Sequence, residues 1–430
     1  MNQQPAWDWR PLAFNIIILS CALCTFLGAI ITVQAPDLAA MIFTPTPTAR
    51  ATPTRVPTFT STPWFFTATP TGTPAPPTPT NTRVITQSNV AGSVATPTTL
   101  SNTNLTALLV TQPLAANRLK IPARSFSLKS RLVLAHYFAW FDGDGWDDCN
   151  MSAGDKPLQP YESDDPVAIA RHVSMARAIG LDGFTLHWFA PGNRTDRNFA
   201  TLLQKSVGQD FYSTVVFSRH IFDGRATQQN ITEALNYIIQ QYGSQPNFLH
   251  VGGKPVIFFT DTYRVPTHAG QSPPQFWAEV KQAVDPQNQT MWIAEGLDVS
   301  YLNTFEGLYV FKISHATSRH DYEKDTKWAE QVRRMGDEKL WLATISPGWD
   351  DERAGCRADV RVPAPLHRVD RGNGAFYQAT FDAAIKSKPN WLMVGSFNEW
   401  VEGSYIEPSV QYGDKYMQMT QNFIQQFKGR

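Results

Sequence analysis

The chain has 430 residues, with 37 basic and 37 acidic side chains. Balanced charge excludes the electrostatic footprint of a nucleic-acid or polyanion binder. Of the four cysteines, Cys21 and Cys24 fall in an apolar run with no second pair of ligands, so neither a zinc framework nor any other metal or cofactor is expected.

Residues 12–33, LAFNIIILSCALCTFLGAIITV, carry no charged side chain. As a helix the run would span roughly 33 Å, enough for a bilayer core. Arg10 precedes it and no Lys or Arg follows until Arg50, which orients the N-terminus toward the cytoplasm and the remainder outside. Two other readings stay open: a cleaved signal peptide ending at Ala35, and a lipoprotein-like Cys21. Residues 1–42 are thus expected to be a membrane anchor or signal segment. The chain is then a single-pass protein of the cell membrane or, alternatively, secreted.

Residues 43–83 contain 10 Pro and 15 Thr and no acidic side chain. Proline fixes φ and removes backbone donors, so an extended, coreless stalk is expected. Residues 84–130 stay rich in Ser, Thr and Asn, so 43–130 is read as linker, closing against the body near its end.

From about Arg131 apolar runs of strand length alternate with helical periods. The runs cover 132–140, 183–189, 213–218, 255–261, 291–295, 307–311, 340–346 and 391–397. Between them lie DPVAIARHVSMARAIG, with Asp165 as N-cap, NITEALNYIIQQYG, with an Asn cap and Gly243 as its end, PQFWAEVKQAV, YEKDTKWAEQVRRMG, GAFYQATFDAAIKS and DKYMQMTQNFIQQF. The stretch after Glu295 carries the weakest helical pattern. Eight such units over residues 131–430 predict an α/β fold, a (β/α)8 TIM barrel, with an open doubly wound sheet as the alternative. Cys149 and Cys356 either pair as a disulfide, if the body is extracytoplasmic, or remain single.

Barrel chemistry gathers at the C-terminal ends of the strands. Those ends bring His136, Tyr137 and Trp140, His187 and Trp188, Ser218, Arg219 and His220, Asp261, Glu295, Ser346, Trp349 and Asp350, and Asn398, Glu399 and Glu402 toward one rim. Ten of the thirteen tryptophans lie after residue 130, and Trp140, Trp188 and Trp349 offer flat platforms for sugar faces. Glu399 and Glu402 stand three residues apart where the last strand ends. Glycosidic cleavage needs two carboxyl groups beside the anomeric carbon, one to protonate the leaving oxygen and one as base or nucleophile. Crowding in a partly apolar pocket drives two such groups apart in pKa. DGDGWDDCN, from Asp142, is not an EF-hand, because Asp147 and Ala153 occupy the positions that need Gly and Glu. No GxSxG elbow or phosphate cradle occurs.

The string SFNEWVEGSYIEPS, followed by YGDKYM, resembles the glycoside hydrolase family 99 endo-α-mannosidases and related family 71/99-like proteins. VLAHYFAWF, GLDGFTLHWF, SPGWDDERAGCR and RGNGAFYQATFDAA resemble further elements of that family in the same order. The resemblance covers roughly residues 131–430. It implies a retaining, endo-acting hydrolase of α-linked glycans such as α-mannan, without a cofactor. Glu399 would deprotonate the sugar 2-hydroxyl, which attacks C1 to give a 1,2-anhydro sugar. Glu402 would act as acid and then base. Tyr137, Trp349, Asp350, Arg353, Asn373 and Tyr377 become candidates for the pocket or its support, and Asn398 and Trp400 flank the glutamates. Val401 departs from the family pattern, which often has histidine there, and this leaves the sugar open. The expected partners are an oligosaccharide or polysaccharide substrate and, through the N-terminal helix, a membrane. No nucleic acid is expected, and the chain is read as a monomer. The alternatives are a non-catalytic carbohydrate-binding surface protein on the same barrel and an α-1,3-glucan hydrolase.

Overall fold

The structure, a computed structural model, describes residues 125–147, 151, 154–218, 226–313, 321–352 and 368–429. The expected anchor and most of the stalk and linker lie outside these residues, as do Cys149, Arg219, His220, Arg353 and Cys356. No helix among the described residues is long and apolar enough to cross a membrane.

All eight apolar runs become parallel strands: β1 (Val133–Tyr137), β2 (Gly183–Trp188), β3 (Thr214–Phe217), β5 (Lys254–Phe259), β6 (Met291–Glu295), β7 (Gly307–Tyr309), β8 (Leu340–Ile345) and β11 (Trp391–Val394). Two residues of β4 (His250–Val251) form a tight antiparallel hairpin with β5. The sheet order is β3-β2-β1-β11-β8-β7-β6-β5, and β3 pairs β5 through Val216 with Phe258 and Phe217 with Phe259. The sheet therefore closes into a parallel eight-stranded barrel, not the open doubly wound alternative.

Closure explains the strand sequences. Successive side chains point to opposite faces, and here both faces are covered. Leu134, Val216, Val256, Phe258, Ile293, Leu342 and Met393 belong to one buried cluster, which fills the barrel. Their neighbours Ala135, Phe184, Val215, Ile257, Trp292, Ala343 and Leu392 belong to another, shared with the helices. Strands apolar on both faces read as continuous hydrophobic runs, which is why strand length was the useful signal here. Phe126 closes the lower end. Its N–H donates to His250 O at 2.8 Å, it accepts from Gly252 N at 2.8 Å, and its ring meets Tyr212 edge-on. The end of the expected linker thus docks on the body.

The outer helices are α1 (Pro166–Ala178), α2 (Arg194–Ser206), α3 (Gln228–Tyr242), α4 (Pro273–Val284), α5 (Asp325–Arg333), α6 (Ala375–Lys386) and α7 (Lys415–Lys428). Asp165 caps α1 by accepting from Val167 N, with Pro166 in the first turn. The cap of α3 lies three residues before the position read for it. Thr227 is the N-cap, and Asn230 closes a capping box from the N3 position. Asparagine fits both places chemically, so sequence alone misplaces the start. α2 has no counterpart among the periodic stretches, because its outer face is so polar that the apolar stripe of Phe199, Leu202 and Leu203 is short. After β6 there is only a 3₁₀ turn, Val299–Asn303, where the periodicity was weakest.

Gly183 opens β2 where Tyr212 crosses it; a Cβ there would stand 1.7 Å from Tyr212 O. Only glycine permits that approach, and the contact is backbone on backbone, so it cannot relax by a rotamer change. Gly183→Ala is expected to lower stability by at least the ~1–3 kcal/mol of an overpacked core. A wild-type midpoint in chemical denaturation would contradict the close approach.

Candidate active site

β11 ends at Val394, and the chain then makes a loop whose neck is pinned by its own backbone. Ser396 N donates to Ser404 O at 2.9 Å, Ile406 N to Ser396 O at 3.0 Å and Glu407 N to Phe397 O at 2.9 Å. Glu399 N donates to Ser396 Oγ at 2.7 Å, and Ser404 N to Glu399 O at 3.2 Å. Glu399 and Glu402 therefore sit between the two arms of one closed loop. Asn398 fastens that loop to β1. Its Oδ1 accepts from Phe138 N and its Nδ2 donates to Phe138 O, both at 2.8 Å. The amide thus continues the β1–β11 ladder with a side chain, its one donor and one acceptor matching those of a peptide group.

A second anchor was not read from the sequence. Glu407, buried at the far arm, accepts at Oε2 from Tyr161 O–H and Trp400 Nε1–H, each at 3.1 Å. Its Oε1 lies 3.1 Å from His172 Nε2. On its other side, His172 Nδ1 shares a hydrogen bond of 2.9 Å with the Tyr137 hydroxyl. Tyr161 in turn accepts from Asn398 Nδ2 at 3.1 Å. Burial and the Glu407 charge push both tyrosines above the ordinary phenol range, so they remain donors. Glu407 is visible in the string IEP, but nothing in its spacing shows that two of its neighbours, Tyr161 and His172, lie more than 200 residues away.

The two candidate catalytic carboxyls differ in environment. Glu399 is 4% exposed. Burial, followed by the Glu402 charge, raises it from 4.5 to about 8, against the opposing pull of the Val401 and Glu402 backbone N–H groups and of Lys312. Val401 N reaches Glu399 Oε1 at 3.1 Å. Glu402 is more open, and its Oε1 pairs with Lys312 Nζ at 3.0 Å. Lys312 follows β7 and also stands 4.1 Å from the centre of the Trp349 ring. Trp349 lies on β9 (Trp349–Asp350), which pairs with β10 (Arg368–Val369). Asp350 N donates to Glu402 O at 2.9 Å, so β9 is tied directly to the loop tip. Asp350 itself accepts from Glu352 N and lies 3.6 Å from Arg368 Nε.

Around this tip the rim is aromatic. Trp140 is half-buried, stacks on Phe189 at 5.4 Å and meets Phe138 edge-on; His187 stacks on Phe138 at 4.3 Å. Across the barrel mouth, Glu295 at the end of β6 accepts from Asp261 N at 2.9 Å and from Thr260 Oγ1, and burial raises its pKa. A cavity of about 240 Å³ at the ends of β3 and β5 is lined by Phe217, Thr260, Asp261, Arg264 and Trp277 among others.

Several residues read as pocket groups stand elsewhere. Trp188 is fully buried behind β2, where its indole N–H donates to Asp196 at 2.8 Å. Tyr137 points outward to His172, because its neighbour His136 takes the inward position of the alternation. His136 is fully buried among His187, Tyr309 and Phe311, accepts or donates at Nδ1 with Thr185 at 2.9 Å, and is held neutral by burial, its pKa near 3. Trp400 is a core residue, stacked on Tyr405 at 3.8 Å. Tyr377 is buried between α6 and α7, bonded to Thr420 at 2.8 Å. Asn373 is exposed in a left-handed turn before α6, where its backbone oxygen accepts from Lys415 Nζ at 2.6 Å. From the same RGNG motif it is Arg371 that reaches the loop. Its Nη2 donates to Gly403 O at 3.1 Å and Tyr405 O at 2.8 Å, and its guanidinium lies over the Tyr405 ring at 4.4 Å.

Residues 144–422, well over half of the chain, match the model of glycosyl hydrolase family 99. The chain belongs to that family. It is 24% identical over 279 residues to rat glycoprotein endo-alpha-1,2-mannosidase, covering 59% of this chain and 56% of the rat protein. A zebrafish glycoprotein endo-alpha-1,2-mannosidase-like protein is 22% identical over 307 residues, 63% of this chain and 65% of that one. The chain thus spans somewhat over half the length of the curated relatives it matches. The solved family 99 endo-alpha-mannosidase of Bacteroides thetaiotaomicron superposes with a TM-score of 0.57 at 21% identity, covering 71% of this chain and 99% of that one. At that identity the structural likeness speaks for the fold.

Glu399 binds its proton more tightly folded than unfolded, so its contribution to stability is present at low pH and is lost as pH rises from 4.5 through about 8. Glu399→Gln removes that loss. Relative to wild type, the variant is expected to gain on the order of 1 kcal/mol per pH unit within that window and nothing below it. Parallel pH dependences in denaturant titrations would sink the buried-carboxyl account.

Proposed function

We propose that this chain is an extracytoplasmic, retaining glycoside hydrolase that cuts internal α-linkages of a glycan such as α-mannan. The observation that supports it most is the coupled pair Glu399 and Glu402 on one closed loop at the C-terminal mouth of a family 99 barrel. Two carboxyls serve one sugar only if they differ in proton affinity, and here one is buried while the other is paired to an ammonium. In the roles that the resemblance assigns, Glu399 takes the proton of the 2-hydroxyl as that oxygen closes on C1. Glu402 gives a proton to the leaving oxygen and then takes one from the water that reopens the ring, while Glu399 returns its proton to the 2-oxygen. The cycle needs one proton on the pair at its start, and one is back at its end. Half-buried Trp140 and its neighbour Phe189 offer an apolar face for a sugar, and Glu295 and Asp261 offer acceptors for hydroxyls across the mouth.

Replacing either glutamate by glutamine is expected to lower turnover at least ~100-fold while the circular dichroism spectrum stays unchanged, the magnitude expected from losing a general acid or base. Full activity in both variants would remove the pair from the mechanism. The digest should compare α-mannan with α-1,3-glucan, and NMR of the first product should show retained anomeric configuration.

A second reading, a carbohydrate-binding surface protein, is favoured by Val401. Its side chain joins the apolar cluster of Phe138, Trp146 and Trp400, so that position brings no polar ring to the glutamates. Calorimetric binding of an oligosaccharide with no new reducing ends would select it.

The placement outside the cytoplasm rests on residues 12–33 and the Pro/Thr-rich stretch after them. The full chain is expected in the membrane fraction, with residues 131–430 cleaved by protease added outside intact cells. Protection from that protease would reverse the orientation.

A further inference from the structure

We propose that the cavity at the ends of β3 and β5 is a side subsite for one uncharged terminal sugar, so that the glycan this chain favours carries a single-sugar branch. The inference rests on the reading of the chain as a hydrolase of α-linked glycans. It names a feature of the substrate that the pair Glu399 and Glu402 does not specify.

The cavity measures about 240 Å³, the bulk of roughly eight water molecules. That is room for one sugar ring and not for two. Its apolar wall includes Phe217 at the end of β3, Ile231 on α3 and Trp277 on α4. All three belong to the buried cluster shared by strands and helices, not to the one that fills the barrel. The cavity is therefore displaced from the barrel axis, with α3 and α4 behind it. A space closed at the back receives a terminal sugar and cannot pass a continuing chain.

The polar edge comes from one turn. Thr260, Asp261 and Arg264 follow β5, and Arg264 N donates to Asp261 O at 2.9 Å. Asp261 lies in the left-handed region at φ 53°, which aspartate tolerates better than most residues. Its N–H donates to Glu295 Oε2 at 2.9 Å, and the Thr260 hydroxyl donates to the same oxygen, so the turn is held to β6. Arg264 Nε stands 3.9 Å from Asp261 Oδ1, longer than a hydrogen bond, and the Arg264 side chain is 50% exposed. Among the described residues, the lining carries this one base and this one acid. Such an edge sets donors beside acceptors with no net charge, which suits hydroxyl groups and not a phosphate or a metal ion. An apolar wall under a polar edge matches the two kinds of surface on a sugar ring. The edge also continues into the catalytic mouth. Glu295 feels the charges of both Asp261 and Lys312, and Lys312 Nζ lies 3.0 Å from Glu402 Oε1. A glycan held at the carboxyl pair can extend a side group past Glu295 into the cavity.

The test is calorimetric binding to the full chain carrying Glu399→Gln, so that no probe is cut. The probes are a linear α-mannan oligosaccharide and the same oligosaccharide bearing one terminal α-mannose branch. The branched probe is expected to bind about tenfold more tightly, the worth of one or two net hydrogen bonds. Val265 also lines the cavity. Val265→Trp, which fills the space, and Arg264→Met, which removes the guanidinium from a half-exposed position, are each expected to erase that advantage. If Val265→Trp fails to fold, Arg264→Met decides alone. Equal affinities for the two probes overturn the subsite, as does a branch advantage that survives either substitution. Equal weakening of both probes by Val265→Trp puts a chain end in the cavity and overturns the branch assignment. The hydrolase reading is tested apart, on the chain with Glu399 in place. A chain inert on both probes removes that reading while branch-dependent binding stands; a chain that cuts the linear probe and shows no branch advantage in affinity removes only the subsite.

Discussion

The Glu407 carboxylate is buried beneath the loop that carries the candidate catalytic pair, and a buried charge must be fully solvated by protein. Tyr161, in the segment after β1, and Trp400, in the loop itself, donate to it, and His172 on α1 stands 3.1 Å from its other oxygen. Leaving such a charge short of a partner costs several kcal/mol. That penalty dictates that α1, the β1–α1 connection and the β11 loop meet in one arrangement. Asn398, bonded to Tyr161 and to both backbone groups of Phe138, transmits the same constraint to the residue next to Glu399.

Rigidity below permits asymmetry above. The loop neck and Arg371 hold the two arms together, so Glu399 is kept where water is scarce while Glu402 remains within reach of Lys312. Glu399 is the carboxyl that the closed loop keeps from solvent, while Glu402 stays partly exposed. The energy that holds Glu399 in a poor environment for a charge is supplied by the barrel and the Glu407 network. This is the usual relation between a strained site and a stable scaffold.

Several residues of the family-like motifs serve the scaffold, and the distinction follows from direction. In β1, Tyr137 and His136 are adjacent, so one faces the helices and the other the barrel interior. Neither ring stands at the open rim. Trp400 points down into the aromatic cluster under the loop, and Tyr377 packs between two helices. A motif fixes which residues are near the loop in sequence. It does not fix which way each one points.

The sequence by itself determined the eight parallel strands, because strands covered on both faces must be apolar throughout and each is followed by a polar break; all eight runs carried that mark, while the choice of a closed barrel over an open sheet was made by the pairing of β3 with β5. It also determined that Glu399 and Glu402 emerge together at a strand end, since that depends only on local spacing. What tertiary structure decided is everything carried across the fold. The start of α3, the helix α2 with its thin apolar stripe, the outward turn of Tyr137, the choice of Arg371 over Asn373, and the partners Lys312 and Glu407 depend on contacts between distant segments. Hydrogen bonds and ion pairs of that kind act over about 3 Å in space whatever the separation along the chain. A local pattern of residue types therefore contains no record of them.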